Sequence, residues 1–360
     1  MLLPDVTGGG AERVALHLIS HWIEAGHEVD LVLLRPRGDL LALVPPQARI
    51  VDLGTERMRS ALLPLARYLR ERRPHAVHAS MWPMPILALA AKRLARVPTR
   101  VVASEHTALS KQYANRGAIH ALLLRNSIAW FYPRADVRIA VSHDAADDLA
   151  QLAGLDRRSI EVVYNPVSIP APPARSAERD EPLWPAASGR ILCVGRMTAE
   201  KNHALLLRAF AELRRRRPAT LMLVGQGPLR GELERLAAEL GIADDVIFRG
   251  FVLDPHPFYA SADLFALPSN LEGYPLVLVE ALLHGLPVVS TDCRSGPREI
   301  LDNGRFGTLV ACNDVPGFAA ALEACLSRPP DALALQARGA ALAGDQVLRR
   351  HTELMTGDTA

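Results

Sequence analysis

The sequence predicts an α/β fold of two doubly wound parallel-sheet domains, and three observations carry that prediction. The chain has 360 residues, more than the roughly 250–300 at which a single hydrophobic core stops growing. Short β-branched runs alternate with helix-length segments along its whole length, as expected for parallel strands joined by crossover helices. A proline-rich, aperiodic stretch at 167–188 reads as a linker. A first domain is therefore expected over 1–166 and a second over 189–340. A last helix within 341–360 is expected to pack back toward the first domain.

In the first half the strand candidates are Glu28–Leu34, Arg49–Leu53, His75–Ala79, Thr99–Ser104, Val137–Val141 and Ile160–Val163. In the second half they are Arg190–Val194, Thr220–Val224, Asp245–Phe248, Asp263–Leu267, Leu286–Ser290 and Gly307–Val310. Helical segments such as Glu12–Ala25, Met84–Ala95, His203–Arg216 and Leu229–Leu240 lie between them. Open parallel sheets bind ligands beyond the carboxyl ends of their strands. The chemically unusual residues all follow strands: Gly8–Gly10, His106, Arg196, Gly225–Gly227 and Glu272. One cleft faced by both domains is the expectation.

Apolar residues make up 49% of the chain and charged residues 22%, as in an ordinary globular protein. A formal charge of +2 gives no reason to expect a nucleic-acid partner. The charge is unevenly spread, since residues 57–100 carry ten Lys/Arg and one acid, Glu71. A helix over Met58–Arg72 would set Leu62, Leu65, Ala66 and Leu69 on one face and Arg59, Arg67 and Arg70 toward another. Basic residues near an anionic leaflet contribute about 1 kcal/mol each, so peripheral contact with an anionic membrane is expected. No apolar run reaches the ~18 residues of a membrane span. The four cysteines show no C-x-x-C spacing and suggest no zinc site. A cytoplasmic protein at the inner face of the plasma membrane is expected.

Two segments carry the chemistry. In Val194-Gly195-Arg196-Met197-Thr198-Ala199-Glu200-Lys201-Asn202-His203 a strand runs into Gly195, and two cations follow at the entrance to a helix. Side-chain charge, backbone N–H groups and the helix dipole together suit a diphosphate. Only three of the 41 basic residues are lysines, yet one stands here. A compact ammonium suits a phosphate oxygen in a tight pocket. In Ser269-Asn270-Leu271-Glu272-Gly273-Tyr274-Pro275-Leu276-Val277-Leu278-Val279-Glu280, Pro275 fits a helix first turn and Gly273 permits close approach to an anion. Glu280, on an apolar helix, needs hydrogen-bond donors, and ribose hydroxyls would serve.

Glu272 and Glu280, with seven residues between them, resemble the E-x7-E motif of retaining glycosyltransferases of family 4. Gly8-Gly9-Gly10-Ala11-Glu12-Arg13 resembles the glycine loop of that family, and Ser104-Glu105-His106-Thr107 its acceptor-side histidine loop. Tyr164-Asn165-Pro166, Gly225-Gln226-Gly227-Pro228 and Ser295-Gly296-Pro297-Arg298-Glu299-Ile300 extend the similarity along nearly the whole chain. Arg13 at the third glycine position speaks against a dinucleotide fingerprint.

The resemblance implies a GT-B architecture of two Rossmann-like domains, with the acceptor on the first and a nucleotide-sugar donor on the second. The implied donor-binding residues are Gly9, Gly10, Arg196, Lys201, Gly250, Phe251, Glu272, Gly273, Tyr274, Pro275, Leu276 and Glu280. The implied catalytic residues are His106, Glu272, Arg196 and Lys201, acting with retention and, as no D-x-D occurs, without a metal ion or other cofactor. A UDP-sugar is expected as the commonest kind of donor, and the likeness to bacterial surface-polysaccharide enzymes implies a saccharide acceptor on undecaprenyl diphosphate. A GT-B nucleotide-sugar epimerase, or a protein that only binds nucleotide sugar, is the alternative, and nucleotide release that depends on acceptor separates them.

The glycine loop needs a feeding strand of about five or six residues, but only Met1, Leu2 and Leu3 precede Pro4. A stunted first strand is expected, with an in-frame apolar stretch of about four to six codons upstream of Met1. An extended protein should melt higher than this one, and a stop codon immediately upstream or equal melting would refute the expectation.

Overall fold

The computed structural model describes residues 1–7, 9–167, 183–185 and 189–357, so most of the expected linker and Gly8 lie outside the described residues. Thirteen strands among the described residues form two parallel sheets. The chain divides into two compact units, Met1–Pro166 with Gly344–Ala360, and Val167–Ala343.

The first unit contains β1 (Leu2–Leu3), β2 (Asp30–Leu33), β3 (Arg49–Asp52), β4 (Ala76–Ser80), β5 (Arg100–Glu105), β6 (Val137–Ala140) and β7 (Glu161–Val162), in the order β3-β2-β1-β4-β5-β6-β7. The two-residue β1 holds a central place, pairing with β2 and β4. Leu65 and Leu69 of the Met58–Arg72 helix and Leu87 and Ala91 of the Met84–Ala95 helix pack on one face of this sheet. The apolar face of the Met58–Arg72 helix is thus used in the core, and that helix presents its arginines outward. On the other face, Leu354 of the Asp345–Thr356 helix packs against Val102 and Ile139. Arg100 Nε donates to the Leu354 carbonyl at 2.9 Å, and Arg350 pairs with Glu161 at 3.2 Å.

The second unit contains β8 (Arg190–Val194), β9 (Thr220–Val224), β10 (Val246–Gly250), β11 (Leu264–Leu267), β12 (Val288–Thr291) and β13 (Thr308–Val310), ordered β10-β9-β8-β11-β12-β13. Consecutive residues Leu221, Met222 and Leu223 are all fully buried, although their side chains alternate between faces. Burial on both faces is what continuous apolar runs in parallel strands provide. Leu206 and Phe210 of the His203–Arg214 helix and Phe318 and Leu322 of the Val315–Ser327 helix fill one of these faces.

The first unit also buries a group of imidazoles. His78 on β4 and His351 on the Asp345–Thr356 helix lie with ring centroids 5.7 Å apart. Burial pushes the pKa of His78 well below its usual value and that of His351 down to about 4, with His106 adding to both shifts. His106 itself is pushed down to about 4 by burial, with Asn165 opposing. A histidine with a depressed folded-state pKa stabilises the fold fully above about pH 6.5, and that contribution is lost as pH falls toward 4. Glu105 has the opposite sign, because burial raises it to about 7 and so it costs stability as pH rises from about 4.5 to 7. Three histidines outweigh one carboxyl. Melting temperature should fall between pH 6.5 and 4, and His351→Asn, which cannot take up a proton, should flatten that slope. A melting temperature that rises as pH drops through this window would contradict the assignment.

Candidate active site

Strand order reverses between β8 and β11, and in open parallel sheets ligands bind beyond the carboxyl ends of the strands at such a reversal. From β8 the chain runs through Gly195 and Arg196 into a short turn, Ala199–Lys201, and from β11 it runs through Ser269 to Pro275. The two loops meet at an ion pair. Lys201 Nζ donates to both Glu272 oxygens, at 2.6 and 2.9 Å, and Ser269 Oγ donates to Glu272 Oε1 at 2.6 Å. Glu272 is only 6% exposed, so its charge is compensated almost entirely by these contacts. The Asn270 amide donates to the Glu200 carbonyl at 2.7 Å and joins the same loops through the backbone. Asn202 takes a left-handed conformation with φ 45°, donates through Nδ2 to Asn270 Oδ1 at 3.1 Å, and caps the His203–Arg214 helix.

Two glycine contacts hold the β8 loop in place. At Gly225, with φ 138°, a Cβ would lie 2.1 Å from the Gly195 carbonyl oxygen, and at Gly227 it would lie 2.4 Å from that of Met197. The loop after β9 can therefore lie directly on the loop after β8, tied by Met197 N–H to Gln226 at 3.0 Å and Leu229 N–H to Met197 at 3.1 Å. Gly296 acts similarly after β12, where a Cβ would stand 2.4 Å from Pro275 Cδ. Beneath it Gly273, Tyr274 and Pro275 are buried where the Leu276–Leu283 helix begins, and Leu276 is half-buried.

Arg196 is exposed, and no hydrogen bond or ion pair engages its side chain among the described residues. Glu280 is half-buried and accepts from Tyr259 Oη at 2.7 Å. Gly250, with φ 81°, ends β10 and accepts from the Gly225 amide at 2.8 Å, with half-buried Phe251 following it. Among the described residues no three His, Cys, Asp or Glu are grouped so as to hold a metal ion.

The first unit contributes different chemistry. Gly9 caps and Gly10 opens the Gly10–Glu24 helix. The Glu12 carboxylate folds back so closely that a Cβ at Gly9 would lie 2.2 Å from its oxygen, an acid placed over its own helix N-terminus. His106 follows β5; the residue is half-buried, but both ring nitrogens are shielded from solvent. The preceding Glu105 accepts from the Trp82 amide at 3.2 Å and from Tyr132 Oη, which oppose its burial-raised pKa.

Sequence reasoning did not foresee that Lys201 and Glu272 are direct partners, nor the supporting hydroxyls of Ser269 and Tyr259. Strand adjacency carries the first, and no local spacing links Tyr259 to Glu280.

Residues 8–169 match the family described as Glycosyltransferase Family 4, and residues 188–328 match Glycosyl transferases group 1. A relative from Campylobacter jejuni, N-acetylgalactosamine-N,N'-diacetylbacillosaminyl-diphospho-undecaprenol 4-alpha-N-acetylgalactosaminyltransferase, is 30% identical over 84% of this chain and 82% of its own. This chain belongs to glycosyltransferase family 4. The lipopolysaccharide core biosynthesis glycosyltransferase LpsD of Rhizobium meliloti is 28% identical over 88% of this chain and 84% of its own. Among solved structures, Anabaena HepE in complex with UDP and glucose superposes with a TM-score of 0.82 at 21% identity, covering 99% of this chain and 98% of that one. WaaG, a glycosyltransferase involved in lipopolysaccharide biosynthesis, gives 0.74 at 20% identity over 99% of both chains. The fold of this glycosyltransferase is GT-B.

The two glycine environments make a paired test. Gly227→Ala should destabilise this glycosyltransferase by about 1–3 kcal/mol, because a backbone oxygen cannot move aside as a side chain can. It should also lower kcat/KM by displacing the Lys201 loop. Gly231→Ala, where nothing lies within 4 Å of the added Cβ, should stabilise the Arg230–Glu239 helix by up to about 1 kcal/mol. Urea melts of both variants check this, and equal behaviour of the two would sink the packing argument.

Proposed function

We propose that this enzyme transfers a sugar, with retention, from a UDP-sugar to a hydroxyl of a saccharide carried on a lipid diphosphate, in polysaccharide or glycan biosynthesis and without a metal ion. The observation that carries the proposal is the pairing of Lys201 with Glu272, with Arg196 exposed on the same loop, at the strand-order reversal of the second unit. The UDP and glucose of the Anabaena structure and the diphospho-undecaprenol acceptor of the Campylobacter jejuni relative support the choice of substrates.

As the bond between the anomeric carbon and the diphosphate oxygen breaks, negative charge grows on the leaving group. Arg196 and Lys201 would stabilise that charge more strongly in the transition state than in the ground state, which is the condition for raising kcat. The backbone at Gly273 and Tyr274, where a helix begins, would add to the field. Glu280, already oriented by Tyr259, would bind the ribose hydroxyls. Glu272 accepts from a lysine and a serine at once, which lowers its nucleophilicity and favours a role in orienting the sugar. His106 is neutral at pH 7 and would hydrogen-bond the acceptor hydroxyl.

Lys201→Ala should reduce kcat/KM by roughly 100-fold or more. EDTA should leave the wild type active, and full inhibition reversed by Mg²⁺ or Mn²⁺ would reject the metal-free reaction. In thermal-shift screens a UDP-sugar should raise the melting temperature above GDP- and ADP-sugars, since ligand binding to the folded state stabilises by mass action. Nucleotide release without any acceptor would point to an epimerase or hydrolase instead.

A further inference from the structure

We propose that the Ala118–Phe131 helix of the first unit is the surface by which this enzyme rests on an anionic phospholipid membrane. This helix joins β5 to β6 and begins soon after His106. Only Leu124 and Ile128 are buried along its fourteen residues. Ile119 is 79% exposed, Leu122 59%, Leu123 61% and Trp130 63%. At about 100° of rotation per residue, these four fall within an arc of about 100°, well away from the face occupied by Leu124 and Ile128. The helix is therefore apolar on two sides, and the protein covers only one. Exposed large hydrophobics elsewhere in the described residues, such as Leu43, Leu253 and Leu333, are not gathered on one helix in this way.

Charge selects the partner. From His106 to Ala135 the sequence contains no Asp or Glu, whereas Lys111, Arg116, Arg125 and Arg134 are all exposed. The Arg134 guanidinium stands 4.5 Å over the Trp130 ring. An amphipathic aromatic ring beside a cation fits the boundary between acyl chains and phosphate headgroups. On the neighbouring His143–Ala153 helix, Asp147 is paired with Arg157 and Asp148 accepts from Ser110, so two of its acids are already engaged. An apolar stripe rimmed by cations matches a leaflet with anionic headgroups. A partner protein recognising the stripe alone would have no need of the uniform charge around it. The arginine-rich Met58–Arg72 helix lacks such a stripe, because its apolar side is in the core and Leu63 stands alone on its exposed side.

The inference deepens the lipid-linked acceptor proposed above and rests on it only for its biological purpose. Vesicle binding is measured without donor or acceptor, so either can fail while the other stands. The full chain should co-sediment with phosphatidylcholine vesicles containing phosphatidylglycerol, and much less with phosphatidylcholine alone. Tryptophan emission should shift to the blue on binding, and Trp130→Phe should abolish the shift. The double variant Leu122→Glu/Leu123→Glu, altered only at exposed positions, should melt as the wild type does and respond equally to UDP-sugar, yet bind vesicles at least 10-fold more weakly. Arg59→Gln/Arg67→Gln/Arg70→Gln should retain most of the binding. The proposal is overturned if the wild type does not bind anionic vesicles, if the glutamate variant binds as well as the wild type, or if only the arginine variant loses binding. It is also overturned if the glutamates convert a dimer to a monomer while vesicle binding persists, which would make the helix a self-association surface.

Discussion

The ion pair between Lys201 and Glu272 is the interaction that holds together the loops leaving β8 and β11 in the second unit. Its partners lie 71 residues apart in the chain, and the parallel pairing of β8 with β11 is what makes them neighbours. A carboxylate as buried as Glu272 is costly unless its lone pairs are filled, and losing one partner of a buried pair costs about 3–5 kcal/mol. Lys201 keeps 24% of its side chain exposed, so solvent screening puts the cost of breaking this pair toward or below the lower end of that range. The pair holds a cation in a fixed place beyond the carboxyl ends of β8 and β11.

The two units use charge differently. In the second, Lys201 and Glu272 meet as an ion pair where the strand order reverses, and Arg196 stands exposed on the same loop. In the first, burial drives His78, His106 and His351 toward the neutral form and raises the Glu105 carboxyl to about 7. A neutral imidazole can donate or accept a hydrogen bond, which suits recognition of hydroxyl groups. Fixed cations suit a leaving diphosphate. The last helix of the chain, Asp345–Thr356, contributes to the first of these environments by bringing His351 beside His78.

Most of the fold was legible because parallel sheets covered on both faces write themselves as continuous apolar runs. Arg190–Val194 and Thr220–Val224 appear in the structure with the bounds expected from the sequence. The sequence places Leu286 in a strand that instead starts at Val288, because the Leu286 amide is used on the Ala281 carbonyl at the end of the preceding helix and Pro287 has no N–H for the ladder. The residues of the site were legible as types following strands, but their partnerships were not. Which loops touch depends on strand order, and strand order is a property of the whole sheet. Surface character was the least legible. The Met58–Arg72 stripe and the Ile119, Leu122, Leu123 and Trp130 stripe have the same helical period, and only burial shows that one packs inward and the other does not.

The choice of lysine at 201, in a chain that otherwise favours arginine so heavily, follows from the same geometry. One nitrogen satisfies both oxygens of Glu272, at 2.6 and 2.9 Å. An ammonium has three N–H groups, so this arrangement leaves one that the pair does not use. A guanidinium would meet the same carboxylate through a planar fork of two nitrogens, with its remaining donors confined to that plane. The side chain also runs past Gly195, where its Cδ would be 3.9 Å from an added Cβ, and a flexible stem passes there more easily than a rigid plane. A point charge that is already held by an acid and still has a donor to spare can engage a phosphate without first being released. That combination gives a physical reason for this lysine which composition alone could only suggest.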